Sequence, residues 1–348
     1  MSQWLPPRRE SLLQRLNSLL RDLVSLYTPS GEERKAKEIF SRLSKETGMP
    51  LFETETGSFI LGGGKVLLAS HLDTVPGFIE VRGGDGWLEG RGAVDAKGPL
   101  TAMIVAGAMA WAEGKKVTVA ALADEENKSA GARELIRSGA KFDHVIIGEP
   151  TGTSGIAIEY RGLIHLDIRC QSRAEHSSSS KSNLIAEMCE RILKIYSAPD
   201  SYLGPTITPT IFRAGEYINV SPSSAYTHLD IRYGRGMDEG EIIKKVKETF
   251  TSCEVEVKDH VPPVAVSPNE PAVKAIMRGL LVNNIKPRLI RKTGTSDMNI
   301  LAQLTRSIVT YGPGDSTMEH TESEKITLEE LYIAASTYKY AVDVLCRS

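Results

Sequence analysis

Apolar residues recur along this chain with two different periods, and the switch between them outlines its organisation. Residues 10–27 carry leucines at helical spacing, ending before Thr28-Pro29-Ser30-Gly31. Ser30 reads as the start of a second helix, with Glu32 and Glu33 in a first turn where acids suit the dipole. After Gly62-Gly63-Gly64, the run Val66-Leu67-Leu68-Ala69-Ser70 has the unbroken apolar character of a strand buried on both faces. Residues 97–113, rich in Ala and Met, predict a helix. Residues 117–123 and 143–148 predict two more buried strands. Strand, helix, strand, helix, strand of this kind predicts an α/β fold, with a mostly parallel sheet covered by helices on both faces.

The period changes near residue 163. Residues 163–169 and 225–232 alternate apolar and polar, as half-exposed antiparallel strands do. Helical stretches lie at about 182–196 and 238–250, and Val261-Pro262-Pro263 marks a return. We therefore expect an inserted α+β domain over 163–262. Residues 1–162 and 263–348 would form one discontinuous domain around it.

Composition narrows the classes. The 348 residues are 41% hydrophobic and 25% charged, which fits a soluble globular protein and argues against disorder. A net charge of −2 gives no reason to expect nucleic acid or a membrane surface as partner. Cys170, Cys189, Cys253 and Cys346 lie far apart with no Cys-x-x-Cys pair, and read as free thiols in a reducing compartment. The segment Met1–Arg9 lacks the apolar stretch of a signal peptide, and no run of about 18 apolar residues is present to span a bilayer. The default expectation is a cytoplasmic protein.

Five residues suggest a metal centre: His71, Asp95, Glu126, Glu149 and His320. Two imidazoles and three carboxylates suit borderline divalent ions, zinc first, with cobalt or manganese also admitted. His71, Glu126 and Glu149 sit at the carboxyl ends of predicted strands, where open sheets place ligands. Asp95 lies in a glycine-punctuated loop from which a carboxylate can bridge two ions. Asp73, two residues from His71 on an extended segment, suits the outer partner that orients an imidazole. Glu125 and Glu126 are adjacent and diverge, so Glu126 can ligate while Glu125 acts as general base in a hydrolysis. Each residue alone has a plainer explanation. Asp124-Glu125-Glu126 can be acids at a helix N-terminus, worth about 0.3–1 kcal/mol each, and a single histidine or a Glu before Pro150 means little. The convergence on strand ends carries the assignment. His144, His165, His228 and His260 lie within or beside apolar strand patterns and read as structural.

The segments His71-x-Asp73-x-x-Pro76, Gly90-Arg91-Gly92-x-x-Asp95-x-Lys97-Gly98, Asp124-Glu125-Glu126 and Gly148-Glu149-Pro150, with the late His320, resemble in order and spacing those of the di-zinc acetylornithine deacetylase, succinyl-diaminopimelate desuccinylase and carboxypeptidase family. The likeness spans essentially the whole chain. It implies that His71, Asp95 and Glu149 bind one metal and Asp95, Glu126 and His320 the other, with Asp73 and Glu125 catalytic. It implies that the inserted domain is a lid through which the protein forms a homodimer. His176 matches the lid histidine that such dimers present to the neighbouring active site, although Glu175 stands where a glycine is usual. Asn219, Arg232 and the loop Gly294-Thr295-Ser296 resemble the residues that hold the substrate's carboxylate end.

Within that family, residues 293–299 and 311–316 look most like the archaeal and Thermus-type lysine-biosynthesis branch. Those enzymes release lysine, and in some lineages ornithine, from the carboxyl-terminal glutamate of a small acidic amino-group carrier protein. The resemblance thus implies a hydrolase of that γ-glutamyl amide. The alternatives are a deacylase of free N-acetylornithine, N-acetyllysine or succinyl-diaminopimelate, and then a di- or aminopeptidase. A non-catalytic protein with a vestigial site would show loss of Glu125 or of a ligand, and this chain keeps them all.

Overall fold

The strands Val66–His71, Val117–Leu122 and Ile308–Tyr311 are buried at every residue, and only His144 is partly exposed in His144–Ile147. In the computed structural model, which describes residues 8–198, 202 and 204–347, these four lie side by side and parallel. Antiparallel strands flank them: Leu51–Glu53 and Phe59–Gly62 on one side, Gly155–Tyr160 on the other. The chain divides into two compact units. The first comprises the chain up to Ile158, Val266–Arg291 and everything from Ser296, and the second Glu159–Ala265 with Lys292–Thr295.

Burial of both strand faces requires cover on both. Val66, Leu68, Val119 and Val309 join the core beneath helices Arg9–Ser25, Lys97–Ala112, Pro271–Val282 and Leu328–Leu345. The alternate residues Leu67, Ala69, Val145 and Ile147 are equally buried. Helix Lys97–Ala112 is apolar and buried on nearly all sides, as suits a helix enclosed by a sheet and other helices. Its small residues permit the close approach. A Cβ on Gly107 would stand 2.5 Å from a Val119 methyl.

The first turn after helix Arg9–Ser25 departs from expectation. Ser30 caps nothing; its hydroxyl donates to Asp73 Oδ2 at 2.7 Å. A short 3₁₀ turn, Glu33–Ala36, precedes helix Lys37–Thr47, and Glu33 is buried rather than solvated at a helix end.

The second unit is a four-stranded antiparallel sheet in the order Thr206–Ala214, Ser224–Tyr233, Gly162–Gln171, Glu254–Val261. Helices Leu184–Ile195 and Glu239–Thr249 pack on the face carrying Ile164, Leu166, Ile168, Leu229 and Ile231. The opposite face is polar. There His228 pairs with Asp167 at 2.8 Å and His165 with Asp230 at 3.3 Å. The expectation of four free thiols is corrected in this unit, where Cys170 and Cys253 form a disulfide across 83 residues while Cys189 and Cys346 are free. Cys170 lies in strand Gly162–Gln171 and Cys253 just ahead of its hydrogen-bonded neighbour Glu254–Val261, which no sequence spacing could indicate. Cys253→Ser is expected to destabilise this unit by about 2–4 kcal/mol by releasing the unfolded chain from its link. The check is the denaturation midpoint without reductant. An unchanged midpoint would remove the bond from any stabilising role.

Among the described residues, no helix is long and apolar enough to cross a membrane.

Candidate metal centre

The carboxyl ends of the four parallel strands all feed one place in the first unit. His71 ends its strand, Asp124-Glu125-Glu126 follows Val117–Leu122, Glu149 follows His144–Ile147, and the segment after Ile308–Tyr311 leads to His320. Asp95 comes from the turn ahead of helix Lys97–Ala112, where the Asp95–Ala96 peptide bond is cis.

Asp95 stands between the two imidazoles. Its Oδ1 lies 3.1 Å from His71 Nε2 and its Oδ2 3.1 Å from His320 Nε2. On the second side, His320 Nε2 is 3.0 Å from Glu126 Oε1, and on the first, His71 Nε2 is 3.9 Å from Glu149 Oε2. Ligand atoms of His71, Asp95 and Glu126 all lie within 4.8 Å of one another. One carboxylate thus shares its two oxygens between two groups of donors.

Asp73 lies against the His71 imidazole and also holds the neighbouring turn. His71 Nδ1 lies 2.9 Å from the Asp73 carbonyl oxygen and 3.6 Å from its carboxylate. The backbone oxygen accepts the Nδ1 proton, an arrangement that lets Nε2 ligate a metal, while the protonated ring donates through Nε2 to Asp95 Oδ1. The Asp73 carboxylate also accepts the backbone N–H groups of Glu125 and Glu126, both at 3.1 Å, and the Ser30 hydroxyl. Glu33 Oε1 accepts the neighbouring Asp124 N–H at 3.1 Å. Asp124 sits at φ 65, a left-handed conformation that is uncommon for a residue with a Cβ. Asp73 and Glu33 thus hold the turn that presents both glutamates. Neither Ser30 nor Glu33 was recognisable as part of the site, because each acts on a backbone far away in sequence.

The electrostatics follow from crowding. Burial pushes the Glu125 carboxyl well above its ordinary range; His71 opposes this, and Glu149, Asp297 and Glu126 reinforce it. Burial likewise raises Glu149 well above the usual range, and Asp297 to about 6. For Asp95, burial is outweighed by hydrogen bonds from His320 and His71, which hold it low. Hydrogen bonds to Asp95 and Glu126 push His320 up to about 10. So many acids around two imidazoles are what a pair of dications would offset. The donor set, with one carboxylate facing both sides, fits such a pair.

The remaining candidates form separate groups. His176 is exposed on the short strand Glu175–His176, paired with Val220–Ser221, and its Nδ1 is 2.9 Å from Ser178 Oγ. Asn219, also exposed, accepts the Ser177 N–H through its carbonyl at 3.0 Å. Arg232 is clamped by Asp230 through two bonds, at 2.8 and 3.0 Å, and its third arm donates to Thr295 Oγ1 at 3.2 Å. Gly294 and Thr295 belong with the second unit and Ser296 with the first. The Ser296 hydroxyl caps helix Asp297–Leu301 by accepting the Met298 N–H at 3.2 Å, with Asn299 completing a capping box.

Comparison with known proteins adds four findings. Residues 67–343 match the model of peptidase family M20/M25/M40. A relative from Sulfurisphaera tokodaii, named LysW-lysine/LysW-ornithine hydrolase, is 48% identical over 338 residues, covering 97% of this chain and 98% of its own. Among solved structures, a tripeptidase from Staphylococcus aureus superposes with a TM-score of 0.85 at 19% identity, over 97% of this chain and 99% of its own. A dinuclear metal-binding peptidase from Bacillus subtilis superposes with a TM-score of 0.77 at 16% identity, over 97% of this chain and 99% of its own.

Proposed function

This chain belongs to peptidase family M20/M25/M40, and from that premise we propose that it is a di-metal amide hydrolase releasing lysine or ornithine from the carboxyl-terminal γ-glutamyl amide of an acidic amino-group carrier protein. The observation that carries the substrate is the near-full-length identity to a hydrolase named for LysW-bound lysine and ornithine. The observation that supports the chemistry is Asp95, shared between His71 and His320.

His71, Asp95 and Glu149 would hold one ion, and Asp95, Glu126 and His320 the other, zinc being the first choice. When bound, the pair supplies Lewis-acid polarisation of the amide carbonyl and acidification of a water. Glu125 takes the proton from the attacking water and returns it to the departing α-amino group. Burial raises its affinity for protons, which suits a group that must accept one and give it back. Asp73 keeps Glu125 and Glu126 aimed apart through their backbone N–H groups. In the lid, Arg232, held by Asp230 and Thr295, is suited to the leaving amino acid's carboxylate by its planar fork. His176 and Asn219 would assist there. Homodimerisation through the lid is supported by Ile211 and Phe212, each 39% exposed on the edge strand Thr206–Ala214. Residence in the cytoplasm accords with a metabolic enzyme of this class.

The test is an intact-mass assay of the metal-loaded enzyme on carrier protein bearing lysine, beside free N-acetylornithine. Loss of one lysine from the carrier, prevented by a chelator, is the expected result. Turnover of the acetyl compound alone would overturn the carrier substrate and leave a free-metabolite deacylase.

A further inference from the structure

Arg91 lies in the Gly90-Arg91-Gly92 segment ahead of Asp95, and it has no part in the chemistry described so far. Its guanidinium is buried, 7% exposed, against the Glu324 carboxylate, which is 1% exposed. Arg91 Nη1 donates to Glu324 Oε1 at 2.5 Å and to the Thr321 carbonyl at 2.9 Å, and Nε donates to the Gly77 carbonyl at 2.8 Å. Glu324 Oε2 in turn accepts the backbone N–H of Gly92 at 3.0 Å, and those of Val94 and Asp95 at 3.3 Å. The Gly90 N–H donates to the Glu324 carbonyl at 3.0 Å. One ion pair therefore ties together the loop after His71, the turn that carries Asp95, and the loop that carries His320.

We propose that Arg91 and Glu324 are positioning residues of the metal centre: they fix Asp95 relative to His320 and so set the affinity of the metal position those two share. The argument begins with the backbone. His320 sits at φ 61, a conformation that a residue with a Cβ keeps only when its surroundings enforce it. The enforcing contact is next door, where Arg91 holds the Thr321 carbonyl. On the other side, the Glu324 carboxylate gathers three N–H groups of the Asp95 turn, which fixes where the Asp95 side chain leaves the chain. An apolar pair of equal volume could match the burial of this ion pair. It could not bind these five backbone groups. Lysine could not replace the arginine either, since a single ammonium lacks the fork that spans three separated acceptors.

The inference rests on the proposed metal binding, and its test separates the two. Metal-free wild type, Arg91→Lys and Glu324→Gln are titrated with Co²⁺ by calorimetry, and the melting temperature of each metal-free protein is recorded. Two binding phases are expected in wild type. In both variants one phase weakens by about 10–100-fold, the usual effect of losing a partner that orients ligands, while the other phase stays close to wild type and the metal-free protein still melts cooperatively, at a lower temperature. The weakened phase should be the one that His320→Ala removes. Wild-type affinities in both variants would overturn the inference. So would an equal loss of both phases with collapse of the metal-free fold, which would mark the pair as a general core element. A wild type that takes up no ion would overturn the metal assignment and this inference with it.

Discussion

Glu125→Gln is expected to lower turnover by about 10²–10⁴-fold, the span over which a positioned acid–base group acts, while leaving the metal content unchanged. Glutamine keeps the shape and a hydrogen-bonding oxygen but cannot carry the proton from water to the departing amine. The neighbouring residue should behave differently. Glu126 lies 3.0 Å from His320 Nε2 and is placed as a ligand, so Glu126→Gln should lose metal as well as rate. The comparison of kcat with metal content by mass spectrometry separates the two roles. A Glu125→Gln enzyme that turns over at the wild-type rate would remove Glu125 from proton transfer. Two adjacent glutamates can diverge in this way because their N–H groups are both held by Asp73.

The largest effect is expected at Asp95. Its two oxygens face the two imidazoles, so no other substitution removes a donor from both metal positions at once. Asp95→Ala should retain less than one ion per chain after dialysis. It should lose turnover by about 10³-fold or more, the counterpart of several kcal/mol of lost transition-state charge stabilisation. Removing either imidazole alone should leave one ion in place. Full occupancy in Asp95→Ala would contradict the shared-carboxylate arrangement. The variant also removes a buried acid whose charge the site holds in its ionised form. Because two imidazoles outweigh its burial and hold that acid below its ordinary range, it stabilises the metal-free fold near neutral pH, and the variant's metal-free melting temperature should fall.

Much of this was legible in the chain because it depends on local patterns. The unbroken apolar runs around Leu68, Val119 and Ile146 can be satisfied only by strands covered on both faces. Such strands place their carboxyl ends together, so His71, Glu126 and Glu149 could be grouped before any distance was known. What escaped was non-local or exposed. Ser30 looked like a helix cap, yet its hydroxyl is captured by Asp73, 43 residues on. Asp73 could be read as a carboxylate partner for His71, but the second contact, from its own carbonyl, is one that every residue possesses and no pattern reveals. Strands Thr206–Ala214 and Glu254–Val261 were missed because they are the sheet's outer members and carry polar or charged residues where a buried strand would show apolar ones. Cys170 and Cys253 meet only because Glu254–Val261 pairs with Gly162–Gln171.

The order of the segments has a consequence for the life of the chain on the ribosome. The strand Ile308–Tyr311 lies between His144–Ile147 and Gly155–Tyr160, so the last of the four central strands to be synthesised fills a place in the middle of the sheet. Residues Glu159–Ala265 are made in the interval. During synthesis from the N-terminus, the chain can therefore complete most of its second unit while the first still lacks both its inner strand and His320. A chain cut short before that point has His71, Asp95, Glu126 and Glu149 but not the fifth donor, nor Glu324 to seat the Asp95 turn. Truncated products should then be inert rather than loosely active, so hydrolytic competence arrives only when nearly the whole polypeptide has been made.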